Sequence, residues 1–211
     1  MKDCYNKNKF IKICFLIFSI FFLTFKFSYA ENNLKAKIKI DNLMKDLIVY
    51  VKNKENKKAT IKHKDKLLTY LNLDFMARAT SGKYWKKASK TEQLNYKNLL
   101  FLKILHSINL HTNKLKTMTF VHKKIEKRGK KLIYVKGLLK NKDKQEINVI
   151  WKMYSKDLTI IDLQIEKISL IKTQKSETIN LLRKYKGNFK KFLDNFETKH
   201  KDAWSISFLD N

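Results

Sequence analysis

The hydrophobic period of this chain changes twice, and that change restricts its fold more than any other feature. From about residue 34 to about residue 111, apolar residues recur every three or four positions, as in helices buried on one side. Between residues 116 and 166 they alternate with polar residues, which is typical of half-buried strands. After Ser169 the helical spacing returns. Helices, a sheet and further helices predict one α+β domain.

The first helical region divides into three predicted segments. Residues 34–51 and 65–80 each carry one apolar stripe, and the charged stretch 52–62 is interpreted as a loop or helix end. Ser89 and Glu92 have the spacing of a capping box, which predicts the start of a helix that runs to about residue 111. This long helix is apolar around much of its circumference, so it is buried on two sides or lines an apolar space.

The alternating region predicts an antiparallel meander of about four strands, at residues 116–125, 131–140, 146–154 and 158–166. The inner face of this sheet and the long helix together hold an excess of apolar side chains. Periodicity alone does not distinguish a plain core from an apolar pocket. Beyond the sheet, a helix is predicted to end at Gly187, and Phe189 to Phe196 then continue with the spacing of one helix face.

Residues 1–30 have the three-part layout of a secretory signal peptide. A lysine-rich start precedes the uncharged apolar run of residues 13–25, and Ser28 and Ala30 stand at −3 and −1 of a cut before Glu31. The run is shorter than the roughly 20 residues of a spanning helix, so cleavage is favoured over a retained anchor. We therefore expect export to the periplasm and a single domain over residues 31–211. Cys4 and Cys14 both fall in the leader, which leaves no cysteine for a disulfide or a thiolate metal site.

The net charge is +28, and removal of five lysines and one aspartate with residues 1–30 leaves +24. Such a charge indicates nucleic acid or an anionic membrane as a partner, although compositional drift of an AT-rich gene produces the same lysines. Export argues against nucleic acid. The chain has no proline, and its four glycines are too dispersed for a phosphate-binding loop, which argues against nucleotide-dependent enzymes.

The sequence contains no pattern that indicates a catalytic site or a metal site. His106 and His111 are five residues apart, which does not place them on one helix face. Asp74, Asp162 and Glu166 are candidates for a carboxylate pair, and Asp162 and Glu166 share a strand face. A solvated or salt-bridged face explains them more simply. No enzyme activity, cofactor or metal is expected.

Two stretches resemble the MlaC family, also called the toluene-tolerance auxiliary component. The first is residues 73–89, LDFMARATSGKYWKKAS, followed by Glu92 and Gln93. The second is residues 161–170, IDLQIEKISL, followed by Thr173, Lys175 and a helix through Gly187. The family pattern has glycine where this chain has Lys167, at a tight strand-to-helix turn, and arginine at Lys175. The resemblance extends over about residues 38–198.

The resemblance implies an NTF2-like fold in which a twisted antiparallel sheet packs on helices around an apolar cavity. It implies a periplasmic phospholipid carrier without a cofactor. Its partners would be an outer-membrane lipoprotein complex and an inner-membrane ABC transporter complex with an MCE-domain protein, in a system that maintains outer-membrane asymmetry. A hopanoid-associated branch of the family is similar, so the class of lipid stays open.

Face periodicity selects candidates for the wall of that cavity. They are Phe75, Met76, Tyr84, Trp85, Leu99, Leu102, Leu105, Val135, Val149, Trp151, Leu163 and Ile165. The main alternative function is a cationic envelope protein that binds anionic membrane surfaces without enclosing lipid.

Overall fold

The computed structural model describes residues 31–53, 56–110, 115–141 and 146–204, without the side chains of residues 57–60, 110 and 197–204. The predicted signal segment and most of the C-terminal tail lie outside the described residues. No helix in the described ranges has the length and apolar character needed to cross a bilayer.

Helices flank a central sheet in the chain. A short 3₁₀ helix covers Gly82–Lys87. The α-helices are α1 (31–52), α2 (Lys57–Leu68), α3 (Leu73–Ser81), α4 (Lys90–Leu110), α5 (Leu170–Lys184) and α6 (Phe189–Trp204).

The start of α4 confirms the capping box. The Ser89 N–H donates to Glu92 Oε2 at 2.7 Å, and the Glu92 N–H donates to Ser89 Oγ at 3.2 Å. These two bonds satisfy amides that the first turn of a helix leaves unpaired.

The prediction of a single helix over residues 65–80 is wrong, because the helix is interrupted between Leu68 and Leu73. Leu71 forms a parallel bridge with Ile160, and the Asn72 N–H donates to the Ile160 carbonyl at 2.9 Å. The Asn72 side chain then accepts from the Phe75 N–H and caps α3. The segment 52–62, interpreted as loop or helix end, contains the beginning of α2 at Lys57.

The sheet is an antiparallel meander in the order β1-β2-β3-β4-β5, and the described residues give it five strands where about four were predicted. The additional strand, β5, has two residues. The strands are β1 (Thr119–Arg128), β2 (Leu132–Lys140), β3 (Glu146–Tyr154), β4 (Ile160–Ile165) and β5 (Ile168–Ser169).

A two-residue turn joins β4 to β5 and leads directly into α5. Ile165 pairs with Ile168, and both residues between them have positive φ, 45° at Glu166 and 71° at Lys167. This is the geometry of a tight hairpin turn, which normally favours Gly or Asn. The tight turn therefore forms with lysine in place of glycine, at the conformational cost of a left-handed lysine.

The helical side of the core centres on Tyr96, which is fully buried. Its hydroxyl lies 2.8 Å from Thr80 Oγ1 of α3 and 3.0 Å from Thr178 Oγ1 of α5. Burial is the main cause that raises the pKa of Tyr96 to about 12. Its ring makes edge contacts with Phe189, Phe192 and Phe196 of α6. The buried apolar face predicted at residues 189–196 is therefore confirmed.

Helix α1 is hydrogen-bonded to β1 and to the β3–β4 turn. Lys39 Nζ donates to the Asp157 carbonyl of the β3–β4 turn at 3.0 Å, and Asp41 Oδ1 lies 2.7 Å from His122 Nε2 of β1. Partial burial raises the pKa of Asp41, but hydrogen bonds from Lys37 and His122 outweigh it and hold that pKa below its usual value. The apolar stripe of α1 joins the core that covers the inner face of the sheet.

Candidate functional site

The inner face of the sheet carries apolar residues in rows that run across the strands. Val135, Trp151 and Leu163 are neighbours in one row, and Ile125 of β1 continues it. Gly137, Val149 and Ile165 form the next row. The pleat places these residues on one side because side chains on a strand alternate between faces.

Burial varies along these rows. Val135, Val149 and Trp151 belong to the buried core, whereas Leu163 and Ile165 on β4 are half-buried. Ile125 on β1 is half-buried as well, so the face is closed at its centre and more accessible toward its edges, including β4. The indole Nε1 of Trp151 is buried without a hydrogen-bond partner among the described residues, so one donor on this apolar face is available to an oxygen atom.

Phe120 covers the β1 side of the same face. A Cβ atom on Gly137 would lie 2.5 Å from Phe120 Cζ and 2.3 Å from the Val121 carbonyl oxygen, so glycine is required for the ring to lie there. The ring makes edge contacts with His122 at 4.8 Å and with Trp151 at 6.3 Å between centroids. A bulge between His122 and Lys124 positions this corner.

The helical candidates separate into buried and peripheral residues. Met76, Trp85 and Leu105 lie in the buried core, and Leu99 packs against it while half-buried. Leu102 of α4 is half-buried as well.

The two remaining aromatic candidates lie at the edges of the core. Phe75 makes an edge contact with Tyr154 at 5.5 Å, at the end of β3. Tyr84 packs against the α5–α6 turn, where its Cε1 lies 3.1 Å from the position of a Cβ on Gly187. The structure thus brings the five sheet candidates together and distributes the seven helical ones more widely. Assignment of all twelve residues to a cavity wall stays a prediction.

Asp162 and Glu166 have separate structural roles. Asp162 is buried and accepts hydrogen bonds from Lys152 Nζ at 2.8 Å, Ser169 Oγ at 2.8 Å and the Ile171 N–H at 3.1 Å. Glu166 accepts from the backbone and side-chain amides of Asn148. These bonds anchor the sheet to the start of α5 and brace the tight turn. Within the described residues no group of three or more His, Cys, Asp or Glu side chains is arranged to hold a metal ion.

An open cleft of about 390 Å³ lies outside the predicted face, between the α2–α3 connection, α4 and Thr159. Leu68 and Leu94 on its rim are exposed, and Lys97 forms an ion pair with Asp74 at 2.9 Å there. Sequence reasoning did not identify this cleft, because it depends on the break between α2 and α3.

Phe120, His122 and Asp41 were also missed. A glycine inside an alternating strand indicates that another group approaches the backbone closely. Gly137 is such a glycine, and it could have pointed to the ring of Phe120. The bulge could not be derived from alternation, because one extra residue reverses the face of every residue beyond it.

The sequence matches the family described as MlaC protein over residues 39–198, which is most of the chain. The chain belongs to the MlaC family. A search of curated proteins finds no match.

A solved structure shares the fold of this MlaC-family chain. It is the phospholipid-binding protein from Ralstonia solanacearum in complex with a phospholipid, with a TM-score of 0.65 and 14% sequence identity. The match covers 78% of this chain and 97% of that one. The NTF2-like α+β fold implied by the resemblance is therefore confirmed.

Proposed function

We propose that this protein is a periplasmic phospholipid carrier that holds acyl chains against the inner face of its sheet. The observation that carries the proposal is the apolar face itself, present in a chain of the MlaC family whose fold matches a protein solved with a phospholipid. The proposal covers the twelve predicted wall residues, of which the sheet residues Val135, Val149, Trp151, Leu163 and Ile165 are the strongest.

The physical requirement for such a carrier is a large apolar contact surface. Transfer of an acyl chain into water costs about 0.8 kcal/mol per CH₂, so two chains of some fifteen carbons cost roughly 20 kcal/mol. Adjacent rows of branched and aromatic side chains offer a surface of this kind. The half-buried residues of β4 lie at an edge where the face is more accessible than at its centre.

The polar contact that we assign on this face is the Trp151 N–H. An ester carbonyl of a phospholipid is an acceptor that satisfies this donor, and its oxygen requires no charge from the protein. Binding and release in this scheme involve no covalent step. We propose that lipid passes between an outer-membrane lipoprotein complex and an inner-membrane ABC transporter complex with an MCE-domain protein, and that the transporter supplies the energy.

The proposal is tested by the lipid content of the purified protein. Native mass spectrometry and solvent extraction should find phospholipid in a stoichiometric amount. Recovery of hopanoid instead would place the chain in the other branch of the family, and a lipid-free protein that does not take up added phospholipid would refute the carrier function.

A matched pair of variants tests the location. Ile165→Trp adds bulk to the half-buried row next to Val149 and should reduce retained phospholipid at least about fivefold, because extra ring volume fills space required by a chain. Val121→Trp places the same side chain on the opposite face of the sheet, where the residue is 38% exposed, and should leave lipid content unchanged. Equal retention in both variants would mean that the site lies elsewhere. Circular dichroism and thermal unfolding verify that each variant is folded.

A further inference from the structure

Two short segments concentrate positive charge. Residues 83–90 and 183–191 contain nine basic residues and no carboxylate. All nine are exposed. We call this surface the basic patch; it comprises Lys83, Lys86, Lys87, Lys90, Arg183, Lys184, Lys186, Lys190 and Lys191.

The fold holds the two segments side by side. Tyr84 packs against Gly187, as described above, and both Tyr84 and Tyr185 pack on the same core. Gln93 Nε2 donates to the carbonyls of Trp85 at 3.0 Å and Ala88 at 3.1 Å, which fixes the 3₁₀ helix to α4. The basic patch is therefore one surface and not two separate loops.

The charge of the basic patch is not neutralised within the part of the chain that the structure describes, where none of its nine cations has a salt-bridge partner. Several lysines elsewhere have a carboxylate partner. Lys136 pairs with Glu126 at 2.9 Å, and Lys66 pairs with Asp46 at 2.8 Å. Lysines near Glu126, Lys124 foremost, hold its pKa at about 2, so that carboxylate stays charged. Unpaired lysines such as Lys45 and Lys156 also occur singly elsewhere in the described chain, whereas the basic patch concentrates nine cations in two adjacent segments without a carboxylate.

The composition of the basic patch identifies the kind of partner. Protein interfaces are built around an apolar or aromatic centre and are depleted in lysine. Neither segment contributes to the exposed large hydrophobic residues of the described chain. Lysines around half-buried tyrosines instead suit the surface of a lipid bilayer. Lysine is a flexible point charge that binds phosphate groups, and tyrosine favours the head-group region.

We propose that the basic patch docks the protein on the surface of a bilayer that contains anionic phospholipid. Docking needs no enclosed lipid, and a carrier needs no docking, so this inference goes beyond the proposed function. The contact is electrostatic and is weakened by salt.

The test is co-sedimentation with vesicles of phosphatidylcholine, with and without phosphatidylglycerol. The wild-type protein should bind only the vesicles with phosphatidylglycerol, and high salt should release it. A patch variant should bind at least about tenfold more weakly, because four charges are removed from the contact. This variant carries Lys86→Gln, Lys87→Gln, Lys190→Gln and Lys191→Gln.

A control variant removes the same total charge from exposed lysines outside the basic patch and should bind within about twofold of wild type. It carries Lys45→Gln, Lys130→Gln, Lys131→Gln and Lys156→Gln. Equal losses in both variants would mean that only net charge matters and would overturn the proposal. Binding to neutral vesicles, or resistance to salt in the wild-type protein, would also overturn it. A patch variant that loses binding to poly-glutamate but keeps binding to vesicles would favour an acidic protein partner instead.

Lipid extraction of the same variants separates the two proposals. The patch variant should retain co-purified phospholipid at the wild-type level even when it no longer binds vesicles. Loss of vesicle binding with normal lipid content would support the docking proposal. Absence of lipid from every variant, including the wild-type protein, would contradict the carrier proposal and leave the docking result unaffected.

Discussion

Two buried regions of this protein differ in how they are held together. Around Tyr96, side chains from α3, α4, α5 and α6 meet through hydroxyl contacts and T-shaped ring contacts. On the inner face of the sheet, the rows through Val135 and Val149 are apolar, and strand pairing and apolar contacts hold them without side-chain hydrogen bonds among the described residues. The first region fixes its members in one geometry, because directional bonds tolerate little displacement. The geometry of the second region, the inner face of the sheet, depends on apolar contact area.

This difference indicates that the two regions have different roles. A region with directional bonds suits a scaffold, and a non-directional apolar face suits a ligand that consists of flexible chains. Packing against such a face changes with the shape of its occupant, at a cost set by area and volume. Three pairs of substitutions test this comparison.

The largest effect is expected from Phe192→Ala in the helical region. Phe192 is fully buried and contacts Tyr96 and Phe196, so its removal should lower the free energy of unfolding by about 3–5 kcal/mol. Leu163→Ala on the half-buried edge of the sheet face should lower it by less than about 2 kcal/mol. Urea titration measures both values. Equal losses would contradict the distinction between scaffold and adaptable face.

Tyr96→Phe should lower the free energy of unfolding by about 1–2 kcal/mol, because Thr80 and Thr178 each lose a buried partner. Tyr134→Phe is the control. Tyr134 is half-buried on the opposite face of the sheet, where Lys152 Nζ lies 5.7 Å from its ring centroid, and loss of its hydroxyl should cost under about 0.5 kcal/mol.

The difference in unfolding free energy between the wild-type protein and Tyr96→Phe should depend on pH. Burial raises the pKa of Tyr96 from its ordinary 10 to about 12, so the folded state keeps the proton that the unfolded state loses first. The stability advantage of wild type over Tyr96→Phe is therefore complete below pH 10 and declines as pH rises toward 12. An advantage that grew with pH would show that the hydroxyl is not buried as described.

The smallest effect concerns the turn between the two regions. Lys167 has a φ of 71°, a conformation that costs a residue with a side chain roughly 1 kcal/mol or more. Lys167→Gly should raise the free energy of unfolding by about 0.5–1 kcal/mol, whereas Lys156→Gly in the β3–β4 turn should not raise it. Thermal unfolding distinguishes the two, and destabilisation by Lys167→Gly would contradict the assigned turn.

The sequence predicted what depends on local pattern. The strand at residues 146–154 and the helix that begins after Ser89 are placed correctly, because alternation and a capping box act within a few residues. The break at Asn72 was not predicted, since it depends on a bridge between Leu71 and the distant Ile160.

The arrangement of the candidate site was only partly predictable for the same reason. Face periodicity grouped the sheet residues, because register carries alternation from strand to strand. The hydroxyl contacts of Tyr96 join residues 16 and 82 positions away, which no local spacing reveals. The ring of Phe120 over Gly137 depends on a bulge and was missed with it.

The bulge in β1 has a consequence for self-association. β1 is an edge strand, and a straight, unpaired edge is a template on which another chain adds a strand and aggregates. The offset between His122 and Lys124 interrupts the edge, and the exposed Lys123, Lys124 and Lys127 place charge along it. At the other edge, β5 is only two residues long. Within the described part of the chain, neither edge of the sheet offers a long uninterrupted strand for pairing with a second copy, which disfavours edge-to-edge aggregation of this sheet.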